Sequence, residues 1–319
     1  MIGFLLSIIC IVNINGLQLK GNNQNNINNE TLTDIEGFVF DSSKFARNYR
    51  PKTFRKFDFP AFYDVREEWP ECPSIWMIWD QGRCGSCWAF GTVMAMSDRL
   101  CINSYGEIKA VLSPQEVLTC CEDCGNPFKN GSGCWGGYPQ YAYDYWNTEG
   151  IVTGGSYQSN DGCKPYTFGP CTPDHNPCHE EENRPEADPP CRRYCSDVHP
   201  ISYENDKYFG KEMFYMESES EIMYEIYYYG SVSASMKVFE DFENYEGGIY
   251  ERKSDVEKFG HVVRLIGWGE ENGIKYWIGA NSWNDFWGEN GFFRIRRGSN
   301  EAGIEDTVMA ADPDFDRCP

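Results

Sequence analysis

The sequence predicts an α+β domain, held by disulfides, with a groove between a mainly helical half and a mainly β half. Apolar residues recur at helical spacing in the first part of the chain, and strand-like runs dominate from Ser231 onward. The third observation is the number of cysteines, 15 among 319 residues. With 41% hydrophobic and 24% charged residues, the composition excludes a disordered or fibrous protein.

Helical character is concentrated in four segments: Ser86–Leu100, Pro114–Leu118, Pro139–Trp146 and Ser220–Tyr229. Ser113 before the second segment, with Glu116 three residues later, forms a capping box. Residues 163–195 are rich in Pro, Cys and charge, and they predict a long loop closed by disulfides. Loops of that length are usually functional. The helical half is expected at about 70–210, with this loop included.

Strand-like runs are separated by turns rich in Gly, Asn and Glu: Val232–Val238, His261–Trp268, Lys275–Ala280 and Gly291–Arg296. They predict a mainly β half at about 211–311. Two layers of different character favour an α+β architecture with a groove between the halves.

The N-terminus predicts export. Met1–Gly16 contains an apolar run with the length of a signal-peptide core, too short to span a bilayer. A buried N-terminal helix is the alternative. Residues 1–58 carry seven bases and five acids, net +2, which leaves −23 on the rest of a chain of net charge −21. A basic leader before an acidic body predicts a segment that docks on that body, with a solvated linker as the alternative.

Charge and hydropathy limit the partners. A net charge of −21 would repel nucleic acid and anionic membranes. No stretch outside the signal reaches about 18 apolar residues, so we expect no membrane span. Asn29 and Asn130 begin glycosylation sequons.

Fourteen cysteines outside the signal predict an oxidising compartment, reached through the secretory pathway. Two C-x-x-C pairs, Cys84/Cys87 and Cys121/Cys124, leave a tetrahedral zinc site as the alternative to disulfides. The signal and the many further cysteines favour disulfides.

Cys87 is the candidate nucleophile. It follows a Gly-rich turn that begins near Gln81 and enters the apolar helix, so it lies in the first helical turn. The N–H groups and positive potential at a helix N-terminus favour the thiolate, which is the reactive form. The Gln81 amide could donate to an oxyanion beside the Cys87 N–H. The alternative is that Cys87 is one more disulfide partner.

His261 is the candidate base. The other histidines, at 175, 179 and 199, lie in or just after the Pro- and Cys-rich loop, whereas His261 opens a strand at the expected edge of the groove. Asn281, twenty residues later, ends another strand-like run. It could orient the imidazole, and Trp283 could shield their hydrogen bond from water. A purely structural His261 is the alternative.

These segments resemble the papain-like cysteine peptidases, and within them the cathepsin B-like members. Gln81–Phe90 is similar to the family's cysteine box, the order Cys87, His261, Asn281 matches, and Gly288–Gly291 follows as the family's tail motif does. The cathepsin B-like group is indicated by the Cys-rich insertion and by Phe59–Glu67, Leu118–Cys121, Gly133–Pro139 and Gly162–Tyr166. The resemblance covers about residues 60–311.

The resemblance implies a two-lobed fold, with a helical left lobe, an antiparallel β-barrel-like right lobe and the active-site groove between them. It implies a signal peptide at 1–16, a short pro-segment at 17–58 and a peptidase domain at 59–319. Cys87 and His261 would form a thiolate–imidazolium pair, and Gln81 would hold the oxyanion. Substrate would bind at Gly136, Gly137, Trp283, Thr307 and His175.

No cofactor or metal is implied. The implied partners are peptide and protein substrates and cystatin-type inhibitors, for a monomer in a lysosome- or vacuole-like compartment or outside the cell. The family's disulfide pattern implies the pairs Cys72–Cys101, Cys84–Cys134, Cys120–Cys191, Cys121–Cys124, Cys163–Cys195 and Cys171–Cys178. Cys318 has no partner in that pattern, and would be either a thiol or bonded between chains.

Two departures from the family predict altered specificity. The insertion normally carries adjacent His residues that bind the substrate's C-terminal carboxylate; here Asp174 replaces one of them and leaves His175. Because Asp repels a carboxylate, we expect weaker peptidyl-dipeptidase and relatively stronger endopeptidase activity. Thr307 stands where a Glu often accepts Arg in the second specificity pocket, which predicts apolar or aromatic substrate residues there.

Two other functions remain open at this point. A transpeptidase would resolve the same acyl-enzyme with an amine instead of water, and sequence does not separate the two. A non-catalytic secreted binding module on a peptidase scaffold is the other, but intact Gln81, Cys87, His261 and Asn281 argue against it.

Overall fold

The computed structural model describes residues 37–38, 58–129, 131–172, 185, 187–317 and 319, which include both predicted halves. The predicted signal peptide and most of the pro-segment lie outside the described residues. So do the individual residues Asn29, Asn130, Asp174, His175, Cys178, His179 and Cys318.

The described helices are α1 Val65–Glu68, α2 Pro73–Trp76, α3 Cys87–Asn103, α4 Pro114–Cys120, α5 Pro139–Thr148, α6 Glu219–Tyr229 and α7 Glu240–Glu243. Helices α3 to α6 confirm the four helical segments, with ends that differ from the prediction by at most three residues. The Ser113 side chain caps α4 by accepting from the Glu116 N–H at 3.1 Å. Glu116 does not return the bond: its carboxylate accepts from the hydroxyls of Tyr145 and Tyr203 instead.

The described strands are β1 Gly37–Phe38, β2 Tyr63–Asp64, β3 Gly125–Asn126, β4 Ser132–Gly137, β5 Phe214–Met216, β6 Val232–Phe239, β7 Ile249–Tyr250, β8 Glu257–Glu271, β9 Ile274–Ala280, β10 Phe292–Arg296 and β11 Thr307–Ala310. Strands β6, β8, β9 and β10 confirm the four strand-like runs. One sheet has the order β5-β11-β6-β8-β9-β10-β7, with β2 beside β8, and its path does not close into a barrel. A second sheet, β1-β4-β3, belongs to the helical half.

The larger sheet divides two hydrophobic cores. Along β6, the even-numbered residues from Val232 to Val238 lie in the core of the β half, together with Val263 and Val308. Val262 and Met309, which adjoin Val263 and Val308 along β8 and β11, lie in the core of the helical half. Since side chains alternate along a strand, one face of β6, β8 and β11 meets α3 and α5.

A buried ion pair crosses from the sheet to α3. Arg264 of β8 donates to both carboxylate oxygens of Asp98, at 2.9 and 2.8 Å, and both side chains are almost fully buried. Hydroxyls of Ser74 and Ser231 donate to the same carboxylate. A buried ion pair depends on hydrogen bonds to both of its partners, and this network joins α3 to the sheet.

None of the described helices is long and apolar enough to cross a membrane.

Candidate active site

The thiol of Cys87 lies at the N-terminus of α3. Ser86 is the N-cap and Cys87 the first helical residue, 2% exposed. Of the cysteines in the described residues, only Cys87 carries a thiol. Disulfide pairing therefore does not account for Cys87, and its place at a helix N-terminus favours the thiolate.

Gly91 lets the first turns of α3 approach β8 closely. A Cβ atom at Gly91 would lie 2.8 Å from Val262 Cγ1 and 2.9 Å from Val262 O. Cys87 is four residues before Gly91, hence on the same helix face, and His261 precedes Val262. The close approach at Gly91 therefore brings the helical turn that begins with Cys87 against the strand that carries His261.

His261 is fully buried and is oriented by Asn281. Its Nε2 is 2.7 Å from Asn281 Oδ1, which also accepts from the Ser282 backbone N–H at 2.8 Å. The second bond fixes the amide oxygen, and an oxygen only accepts, so Nε2 donates. In the neutral ring Nδ1 is then the nitrogen that can take up a proton.

Aromatic rings enclose this hydrogen bond. The Trp283 ring packs on the imidazole with centroids 4.7 Å apart, and Phe259 lies edge-on at 6.4 Å. Burial lowers the pKa of His261 to about 4, while its hydrogen bond to Asn281 acts in the opposite direction. The buried imidazole is therefore neutral near pH 7.

The Gln81 side chain is held on both sides. Its Nε2 donates to Cys84 O at 3.0 Å, and its Oε1 accepts from Ser282 Oγ at 2.7 Å. An amide nitrogen has two N–H groups, so a second donor remains. The sequence reasoning did not single out Ser282, although it stands between Asn281 and Trp283.

Strand β4 carries Gly136 and Gly137. In parallel register with it, β1 pairs Gly37 with Gly136 and Phe38 with Gly137. The backbone of β1 also lies near α3 and β8. Residues 37–38 of the leader therefore lie beside β4, near the elements that carry Cys87 and His261.

Residue 188, at the far end of the Cys-rich loop, supports β4. The Asp188 carboxylate accepts from Ser132 Oγ and from the backbone N–H groups of Gly133 and Cys134. The Trp135 indole donates to Pro185 O at 3.2 Å. No sequence motif pointed to Asp188, because its partners are more than fifty residues away.

The start of the same loop is attached beside Gln81. Asp80 Oδ2 accepts from the Cys171 N–H at 2.8 Å and from Asn284 Nδ2 at 3.2 Å.

Thr307, 9% exposed, opens β11 opposite Ser235 of β6. His175 and the sequons at Asn29 and Asn130 lie outside the described residues.

Five of the six implied disulfides are present: Cys72–Cys101, Cys84–Cys134, Cys120–Cys191, Cys121–Cys124 and Cys163–Cys195. Cys171 is also disulfide-bonded, and Cys178, its implied partner, lies outside the described residues. Both C-x-x-C motifs are thus accounted for without zinc: Cys84, Cys121 and Cys124 are bonded through their sulfurs.

The family of this arrangement follows from comparison. Residues 59–311 match the model of the papain family cysteine proteases. The chain belongs to that family. It is 45% identical over 260 residues to cathepsin B-like cysteine proteinase 6 of Caenorhabditis elegans, covering 80% of this chain and 67% of the relative. It is 42% identical over 280 residues to a cathepsin B-like cysteine proteinase of Schistosoma japonicum, covering 85% and 79%.

A solved structure of proCathepsin B S9 from Trypanosoma congolense is similar, with a TM-score of 0.69, 32% identity and coverage of 83% of this chain and 82% of that one. The chain is thus a cathepsin B-like cysteine peptidase with a papain-like fold. Its relatives and its disulfides indicate a secretory or lysosomal protein.

The held amide of Gln81 predicts a large kinetic effect. Gln81→Ala in the processed enzyme should lower kcat by roughly 10²–10³, because one oxyanion donor is lost. Fluorogenic dipeptide hydrolysis measures kcat, and circular dichroism reports folding. Ser282→Ala, which frees only Oε1, should cost less. A folded Gln81→Ala enzyme with unchanged kcat would contradict the role.

The lowered pKa of His261 predicts acid sensitivity of the unprocessed chain. Unfolded histidine takes up a proton near pH 6.5, but the buried ring does so only near 4. The unfolding free energy should therefore fall as pH drops through that window, by about 2–3 kcal/mol from this group.

Denaturant unfolding at pH 7 and pH 4.5 measures this effect, in a Cys87→Ala background that prevents self-processing. Adding His261→Asn should remove that share of the loss. Equal pH dependence in the two variants would show that another group is responsible.

Proposed function

We propose that Cys87, His261, Asn281 and Gln81 perform peptide-bond hydrolysis in this chain. The observation that supports it most is the His261–Asn281 hydrogen bond of 2.7 Å, since it leaves Nδ1 of the ring for the Cys87 thiol. At the α3–β8 contact, Gly91 lies one helical turn from Cys87, and Val262 adjoins His261 in the strand. Thiol and imidazole are the nucleophile and base that this chemistry needs.

The reaction divides into acylation and deacylation. In the processed enzyme Nδ1 takes the thiol proton, and the thiolate attacks the scissile carbonyl carbon. The second Gln81 N–H and the Cys87 backbone N–H bind the oxyanion. His261 then protonates the leaving amine as the C–N bond breaks. Water, deprotonated by the same imidazole, releases the acid and restores the thiol.

Substrate would add a strand to β4 at Gly136 and Gly137. Extended peptides bind in this way to exposed strand edges through main-chain hydrogen bonds. The pairing of β1 with the same two glycines supports the interpretation of residues 17–58 as a pro-segment that blocks the groove. Burial of His261 in that state would keep its pKa low, so the thiolate–imidazolium pair belongs to the processed enzyme.

The long loop would restrict the primed side of the groove, where the C-terminal part of a substrate lies. It is attached through Asp80 to Cys171 at one end and through Asp188 to β4 at the other. With Asp174 in place of a histidine, only His175 is left to bind a terminal carboxylate. We therefore propose that the enzyme acts mainly as an endopeptidase and has weakened peptidyl-dipeptidase activity.

Processed enzyme should cleave a C-terminally amidated peptide at least as efficiently as the same peptide with a free carboxylate, compared by kcat/KM. The physical reason is repulsion between Asp174 and the carboxylate. Asp174→His should shift the ratio toward the free acid by several-fold.

Cys87→Ala serves as the control for both substrates and should abolish their hydrolysis. Activity that survives Cys87→Ala would reject the proposed nucleophile. A strong preference of the unmodified enzyme for the free carboxylate would reject only the endopeptidase assignment.

A further inference from the structure

Two buried polar side chains beside the groove lack hydrogen-bond partners. Gln140 is 0% exposed, and neither its Oε1 nor its Nε2 has a partner among the described residues. The same holds for Oγ of Ser235, which is 4% exposed. Buried amides and hydroxyls are nearly always hydrogen-bonded, because leaving them unpaired forfeits their solvation. Two such groups near a substrate groove indicate a ligand that pairs them.

Contacts one step deeper in the interface show which faces of α5 and β6 carry these residues. The Tyr143 hydroxyl of α5 lies 2.9 Å from Ser233 Oγ and 3.4 Å from Met309 O. Gln140 is three residues before Tyr143, on the same face of α5. Ser235 is two residues after Ser233, on the same face of β6.

Thr307 completes the set from β11. It is two residues before Met309, on the same face, and its register partner is Ser235. Going from Tyr143 to Gln140, from Ser233 to Ser235 and from Met309 to Thr307 leads toward the groove in each case. The reason is that α5 begins directly after β4, and that Ser235 adjoins Met236, the register partner of His261.

We propose that Gln140, Ser235 and Thr307 form the pocket for the substrate side chain two residues before the scissile bond, and that this pocket prefers an uncharged hydrogen-bonding side chain. The inference rests on the proposed peptidase function. It replaces the apolar preference predicted from Thr307 alone, which did not take Gln140 and Ser235 into account.

The chemistry of the three side chains favours an amide. Gln140 offers two N–H donors and one carbonyl acceptor, and Ser235 and Thr307 offer hydroxyls that both donate and accept. A substrate glutamine can pair donors with acceptors in both directions. A leucine or methionine would leave the buried polar atoms unpaired, and none of the three residues carries a carboxylate that would balance an arginine.

The test uses processed enzyme and four fluorogenic dipeptide amides with Arg next to the scissile bond and Gln, Met, Leu or Arg before it. Gln and Met have the same length, so their comparison isolates hydrogen bonding. We expect kcat/KM for Gln to exceed that for Met by roughly 10- to 100-fold, the cost of leaving a buried amide unpaired. Leu and Arg substrates should be similarly poor.

Variants assign the preference to the pocket. Gln140→Leu with Ser235→Ala should remove the Gln/Met ratio and raise kcat/KM for Met and Leu. Tyr143→Phe is the matched control, because it alters the same α5–β6 interface below the pocket and should leave the ratio unchanged.

The outcomes separate the two proposals. The pocket assignment would be overturned if the unmodified enzyme cleaved the Met or Leu peptide as well as the Gln peptide. A Gln/Met ratio unaffected by Gln140→Leu and Ser235→Ala would overturn it too. In both cases the peptidase activity stands. Hydrolysis of none of the four peptides, or hydrolysis that survives Cys87→Ala, would instead reject the proposed function.

Discussion

The close contact between α3 and β8 is the constraint on which the site depends. It requires a residue without a side chain at Gly91, since any Cβ there would meet Val262 at 2.8–3.0 Å. The buried pair of Asp98 and Arg264 fixes the same two elements further along. Cys87 begins the helix and His261 lies on the strand, so the contact that joins the two cores also joins the two elements that carry these residues.

Much of the fold and of the candidate site could be predicted from the sequence, because both depend on short-range sequence patterns. Helices α3 to α6 and strands β6, β8, β9 and β10 follow from periodicity, and the candidate site residues follow from their types and order. Strands β4 and β11 were missed: β4 contains three glycines among its six residues, and β11 has four residues. The disulfide pairs came from family resemblance, since spacing leaves many pairings open.

The polar pocket shows where sequence reasoning ends. Gln140 and Ser235 are ordinary surface residue types, and no local sequence pattern predicts that α5 and β6 bury them. Their common location is inferred from the contact between Tyr143 and Ser233 in the folded chain. The leader is similar in this respect: its charge predicts docking, but only the structure shows that Gly37 and Phe38 pair with Gly136 and Gly137. Burial within the folded chain likewise lowers the pKa of His261 to about 4.

The most direct test of the contact is the pH dependence of Cys87 alkylation by a thiol-directed epoxide, in processed wild type and in Gly91→Ala. Gly169→Ala is the control, since a Cβ there meets nothing closer than 3.7 Å. We expect fast alkylation of wild type and control well below pH 8.5, the ordinary thiol pKa. Gly91→Ala should shift the profile toward that value, with kcat roughly 10²-fold lower from misplacement of the nucleophile. Identical profiles for wild type and Gly91→Ala would contradict it.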